Sequence, residues 1–137
     1  MLEETMIEAA PPQHRAAVYE LEDVGKRFGA AGAAVEAVSD VTVTIGAGEF
    51  VAVTGPSGSG KTTLLQLLGA LESPTRGHVR LAGIDLARMS ERQLSQVRRR
   101  RIGFVFQQFN LIPTLTARQN VEAPMAGTGG GRAERPA

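Results

Sequence analysis

Gly55-Pro56-Ser57-Gly58-Ser59-Gly60-Lys61-Thr62 is the stretch of this chain whose residue types and spacing point most directly to chemistry. It fits G-x-x-x-x-G-K-[ST] at every fixed position, and that chemistry is the gripping of a polyphosphate. Glycines let the backbone curl with its N–H groups facing inward, because no side chain blocks an approaching phosphate. Successive inward amides form an anion-binding nest. A helix starting at the end of the loop adds unpaired amides and the positive end of its dipole. Lys61 suits the β- and γ-phosphates as a compact, mobile point charge, where the planar fork of arginine fits less well. The hydroxyl of Thr62 is placed to ligate Mg²⁺, and that of Thr63 to reach an α-phosphate oxygen. Lys26 and Lys61 are the only lysines among the 15 basic residues, so the lysine here stands out against an arginine-rich background.

Such a loop needs a strand before it and a helix after it. Phe50 to Thr54 is a short apolar run, which predicts a strand buried on both faces. Leu64, Leu67, Leu68 and Leu71 recur at helical spacing, predicting a helix from Lys61 that Ser73-Pro74 ends. Earlier, Val18, Glu20 and Glu22 alternate with Tyr19, Leu21 and Val24, and Val41, Val43 and Ile45 alternate with Thr42 and Thr44. Both patterns predict strands, separated by a small-residue loop over Gly29 to Ala34. His78 to Leu81 reads as a strand before a Gly83 turn. Ser90 and Gln93 fit a capping box opening a helix to about Arg99, with Leu94 and Val97 on its buried face. Ile102 to Phe106 reads as another buried strand, and Thr114 to Ala123 as a short helix after Pro113.

The 137 residues leave room for one domain of ordinary size, with 42% hydrophobic and 21% charged residues. A net charge of +1 singles out no polyanionic partner, and the absence of cysteine excludes disulfides and cysteine-ligated metals. No stretch approaches the ~20 apolar residues of a membrane span. Arg98 to Arg101 raise the question of nucleic acid, but no second basic patch accompanies them. Cations in a last helical turn favour the dipole, and nucleic-acid binding is not expected. His14 and His78 are lone histidines, read as a solvated tail and a strand surface.

The flanks extend the reading. LEDVGKRFG, VTVTIGAGEFVAVTGPSGSGKTTLLQLLGALESPTRGHVRLAG and RRRRIGFVFQQFNLIPTLTARQNVEAPM resemble ABC-transporter ATP-binding subunits throughout, most of all the lipoprotein-release and macrolide-export type. The resemblance covers about residues 18–125, between flexible tails at 1–17 and 126–137. It implies an α/β fold: a P-loop NTPase core with an antiparallel β-subdomain, truncated before the helical subdomain is complete. It implies ATP and Mg²⁺ as ligands. Gly55, Pro56, Ser57, Gly58, Ser59, Gly60, Lys61, Thr62 and Thr63 would then hold the phosphates. Phe28 falls where the family stacks an aromatic ring on adenine, with Tyr19 as the alternative. Gln107 matches the glutamine that in the family contacts Mg²⁺ and the attacking water, and an amide able to donate and accept suits that task. Lys61 and Gln107 would be the catalytic residues present, and Thr62 and Gln107 the metal ligands. Phe109 to Asn120 resembles the surface that receives a membrane permease; Leu111, Ile112 and Leu115 could supply that contact or pack beneath a loop. The resemblance also implies a second ATP-binding subunit in a dimer and a place on the inner face of the cell membrane.

After Gln107 the only acids are Glu122 and Glu134, neither preceded by an apolar strand. The signature motif, the apolar strand ending in Asp-Glu and the switch histidine of the family are not found. A dimer partner can lend the signature, but the Asp and Glu act in cis. The expectation is a chain that binds nucleotide without efficient hydrolysis, with exposed strand edges and marginal stability. An alternative is an interaction module docking on a permease or a full-length subunit. A small kinase is a third possibility, but it would need a lid and an acceptor site that are not visible.

Overall fold

The computed structural model of the chain describes residues 16–30 and 32–127. The expected tails at 1–17 and 126–137, with Pro11-Pro12 and His14, therefore lie largely or wholly outside the described residues. Two compact units are present, one reaching to Leu94 and one beginning at Ser95.

The first unit is built on a four-stranded antiparallel sheet in the order β2-β1-β3-β4. Its strands are β1 (Ala17–Phe28), β2 (Val35–Gly46), β3 (Arg76–Leu81) and β4 (Ile84–Asp85). Leu21 and Val24 are both buried although they stand three residues apart, an odd spacing that strict alternation would put on opposite faces. A bulge between them resolves the conflict: the register with β2 shifts between Leu21 and Val24, and Asp23 takes a φ of 48°. Thr42 serves the bulge, its Oγ1 accepting from the Asp23 amide at 3.0 Å. Gly77 of β3 crosses close to the carbonyls of Glu22 and Asp23 with a φ of +76°, where a Cβ would collide with backbone.

Helix α1 (Lys61–Leu68) buries Leu64 and Leu67, one helical turn apart on one face. These side chains join Leu21, Val24, Val38, Ala70, Val79, Leu81, Leu86 and Leu94 in the buried apolar core. The helix stops earlier than Ser73-Pro74 predicted. Ala70 adopts a φ of 54°, its amide reaches the Leu67 carbonyl at 3.1 Å, and the Leu71 amide reaches that of Gln66 at 2.9 Å. This paired closure is a Schellman ending, which satisfies the last carbonyls before the proline is reached. Leu71 falls beyond it and is exposed.

A 3₁₀ turn at Leu86–Arg88 follows β4, capped by Asp85, whose carboxylate accepts from the Ala87 amide at 3.0 Å. Helix α2 (Glu91–Arg101) opens as its capping pattern predicts: Gln93 Oε1 accepts from the Ser90 amide at 2.8 Å. Leu94 is buried, but Val97 is only half-buried.

Two expected strands are corrected. Phe50 to Thr54 and Ile102 to Phe106 belong to no strand of the sheet, and neither is buried on both faces. Phe50 is 98% and Val105 102% exposed. An apolar run becomes a strand only when a neighbouring strand takes up its N–H and C=O groups, and no described strand does so; the Ile102 amide goes instead to the Arg98 carbonyl at 3.4 Å. Phe104 and Phe106 still stack at 5.5 Å, as i and i+2 side chains of an extended chain.

In the second unit, helix α3 (Ala117–Glu122) is capped by Thr116 and Gln119 in a reciprocal box and runs into a 3₁₀ turn at Ala123–Gly127. The expected helix from Thr114 to Ala123 is thus present in a shorter form.

Candidate functional site

The loop at Gly55–Gly60 is held mainly from its C-terminal side. Gly60 is the N-cap of α1 with a φ of +86°, and its α-carbon lies so close to the Ala37 carbonyl of β2 that a Cβ there would overlap it. Only glycine meets both demands. The first backbone bond of the helix runs from the Leu64 amide to the Gly60 carbonyl at 2.8 Å. The amides of Lys61, Thr62 and Thr63 precede it, and helix geometry offers them no partner within α1. They sit at the positive end of the helix dipole.

Lys61 folds back over its own loop. Its ammonium donates to the carbonyls of Gly55 at 2.9 Å and Pro56 at 2.6 Å, and to Ser59 Oγ at 3.4 Å. The charge is thereby centred on the ring of backbone that the sequence designates as a cradle. An ammonium has three donors, so it can exchange carbonyls for phosphate oxygens without leaving the loop. Ser57 and Gly58 are exposed, and space beside the Gly58 α-carbon is open. Thr62 is exposed and Thr63 half-buried on the first turn. A triphosphate fits this donor set: amides, one ammonium and two hydroxyls, with Thr62 offering an oxygen to a hard cation. An open depression of about 580 Å³ lies elsewhere on the unit, lined by Arg27, Gly29, Gly32, Ala34 and Thr75. No loop residue lines it, and amides at a helix end need no deep cavity to hold an anion.

Phe28 ends β1, is 40% exposed and pairs with Val35. Val35 is two residues from Ala37, the residue against which Gly60 rests. That spacing is about 7 Å along the strand. The aromatic ring and the cradle are therefore brought to the same end of β2. Tyr19, the alternative ring, is occupied otherwise: its hydroxyl donates to the Leu68 carbonyl at 2.9 Å, and burial pushes its ionisation upward.

Sequence reasoning missed the clamp that holds Phe28. The Thr75 amide donates to the Gly25 carbonyl at 2.8 Å, and Thr75 Oγ1 accepts from the Arg27 amide at 3.0 Å. Glu72 and the Ser73 carbonyl take the Lys26 ammonium at 2.7 and 2.9 Å. These partners stand 46 to 50 residues away in sequence, and no local pattern announces them.

Gln107 lies in the second unit, exposed, as is Gln108. Phe109, Leu111 and Ile112 are exposed and Leu115 half-buried. The unexpected organiser of this stretch is Asn120. Its Oδ1 accepts from the Ile112 amide at 2.7 Å, and its Nδ2 donates to the carbonyls of Ile112, Leu115 and Thr116 at 3.1 to 3.2 Å.

His78 is not a bare strand-surface residue: its Nδ1 lies 2.8 Å from Asp85 Oδ2. Burial pulls the Asp85 carboxyl upward. The hydrogen bonds from His78 and the Ala87 amide and the charges of His78 and Arg88 outweigh it, holding the group below the usual carboxylate range. No described helix is long and apolar enough to cross a membrane.

The family model described as ABC transporter matches residues 38–136. The chain is 48% identical over 106 residues to the lipoprotein-releasing system ATP-binding protein LolD of Anaeromyxobacter dehalogenans, covering 77% of this chain and 44% of that protein. It is 50% identical over 115 residues to the macrolide export ATP-binding/permease protein MacB of Brucella abortus, covering 84% of this chain and 18% of that protein. Among solved structures, the dimeric cassette MJ0796 of Methanocaldococcus jannaschii bound to ADP and Pi superposes with a TM-score of 0.74 at 42% identity. That match covers 85% of this chain and 52% of the cassette. The chain thus spans about half the length, or less, of the proteins it matches.

Proposed function

The chain belongs to the ABC transporter family, and from that premise we propose that it is nucleotide-binding machinery of an ATP-binding subunit, gripping Mg-ATP through Gly55 to Thr63. The observation that carries this reading is the Lys61 ammonium held over the loop by the Gly55 and Pro56 carbonyls at the amide end of α1. Phe28 stacks on the base and Thr62 holds Mg²⁺; in the assembled transporter Gln107 senses the metal and the water. The related cassette was solved with ADP and Pi, which supports nucleotide as the ligand. ATP binding and hydrolysis in the assembled transporter drive transport. A permease is engaged through about Phe109 to Asn120, a second ATP-binding subunit completes the dimer, and both lie at the inner face of the cell membrane. The MacB relative joins ATP-binding and permease functions in one name, consistent with that placement.

As a 137-residue polypeptide, the chain binds nucleotide without efficient turnover. Glu122 follows no apolar strand, and its carboxylate pairs with Arg118 one turn away on the same short helix at 2.9 Å. Calorimetric titration with Mg-ATP tests the reading. Wild-type protein is expected to bind at micromolar to millimolar concentration, and Lys61→Ala to weaken binding by about tenfold to a hundredfold, the loss of charge-assisted bonds. Folded protein indifferent to millimolar Mg-ATP would end the reading. Robust ATPase activity abolished by Lys61→Ala would overturn the claim about turnover.

A second reading, an interaction module docking on a permease or a full-length subunit, draws on the exposed Phe109, Leu111 and Ile112. Co-purification with a permease that survives Lys61→Ala but not Leu111→Asp would favour it.

A further inference from the structure

Lys26 occupies an unusual position for a strand lysine. Its side chain is only 13% exposed, and its ammonium is pinned by Glu72 Oε2 at 2.7 Å and the Ser73 carbonyl at 2.9 Å. The same nitrogen lies 4.9 Å from the centroid of the Phe28 ring, inside the reach of a cation–π contact. Phe28 nevertheless stays 40% exposed. The ring thus has a fixed cation against it and surface left over for a ligand.

A fixed cation has two consequences for stacking. It holds the ring in place before a base arrives, so less ordering entropy is lost on binding. It also draws π density toward itself, which lowers the negative potential on the opposite face. A face so depleted stacks better on an electron-rich purine. The clamp extends the same logic along the backbone: Thr75 fixes Gly25 and Arg27 on either side of Lys26. Glu72, Ser73 and Thr75 all follow α1, whose other end is the phosphate cradle.

We infer that Lys26 is a positioning residue for the nucleobase: its pinned ammonium presets Phe28 and tunes the ring to stack on a purine. This rests on the reading of Phe28 as the stacking ring. The competing account makes Lys26 a structural pin alone.

The test compares Mg-ATP with Mg-tripolyphosphate, which offers the phosphates without a base, on the full 137-residue chain. The ratio of the two dissociation constants isolates the contribution of the base. Wild type is expected to prefer ATP by about tenfold, the low end of base–aromatic stacking. Lys26→Met is expected to cut that preference about threefold while tripolyphosphate affinity holds. Lys26→Arg should restore most of it, and Lys26→Met on top of Phe28→Ala should remove nothing further. If Lys26→Met weakens both ligands equally, or leaves the ratio intact in folded protein, the inference is overturned and only the structural pin remains. Should Lys26→Met fail to fold by circular dichroism, Glu72→Gln decides: it keeps the cation but loosens its hold, and an unchanged ratio sinks the proposal. If Phe28→Ala leaves the ratio intact, the stacking reading itself is what fails, and Lys26 loses its role with it.

Discussion

The loop at Gly55 to Thr63 and the segment from Ile102 to Ile112 both carry residues matched to nucleotide chemistry, yet they are made differently. The loop draws its shape from its own backbone and from α1, which is sunk into the core by Leu64 and Leu67. The strand expected before it forms no ladder, and the loop is still positioned, because Gly60 rests on β2 from the other side. Gln107 has no such support among the described residues. The extended run before it lacks ladder partners, and Phe104, Val105, Phe106 and Phe109 face solvent. A site built of main-chain amides at a helix end is fixed by local geometry. A side chain at a strand end is only as fixed as the sheet that holds the strand.

The sharpest way to break this comparison is Gly60→Ala. The new methyl would meet the Ala37 carbonyl at a left-handed φ, a strain of about 1–3 kcal/mol before any clash is counted. The expected outcome is a melting temperature lower by about 10 °C or more and loss of Mg-ATP binding. Unchanged melting and binding would mean that β2 does not hold the loop.

A smaller effect is expected from Asp85→Asn, which probes whether the first unit is stabilised by charge as well as packing. Asp85 has a lowered carboxyl in the folded chain, so its stabilisation is present above the unfolded value of about 4. It is lost as pH falls through the lower folded value. The variant should be less stable at neutral pH and show a flatter loss of stability below about pH 4. A parallel acid limb in both proteins would show that the His78–Asp85 contact carries no linkage.

The smallest effect is expected from Gln107→Ala, a change of less than about twofold in Mg-ATP affinity. A loss comparable to that of Lys61→Ala would collapse the contrast, by showing that the second unit takes part in binding in this chain.

Much of this was legible before any coordinates. The cradle could be read because its chemistry depends on consecutive residues whose types report their own backbone needs. Alternation showed β1 and the second half of β2, His78 to Leu81 read as most of β3 before the Gly83 turn, and the Ser90–Gln93 cap showed in spacing alone. Gln107 was legible as a residue but not as a geometry. The two strands that did not form share one cause: Phe50 to Thr54 and Ile102 to Phe106 are apolar enough for strands, but apolar composition does not supply a hydrogen-bonding neighbour.

The sequence by itself determined the glycine-rich loop proposed to grip phosphate, the helix that follows it and the kinship with ABC transporters, since each is written in contiguous residues. Only the tertiary structure decided that Lys26, Glu72, Ser73 and Thr75 converge behind Phe28, and that Gly60 leans on Ala37. Those contacts join residues tens of positions apart, and long-range packing leaves no local signature to read.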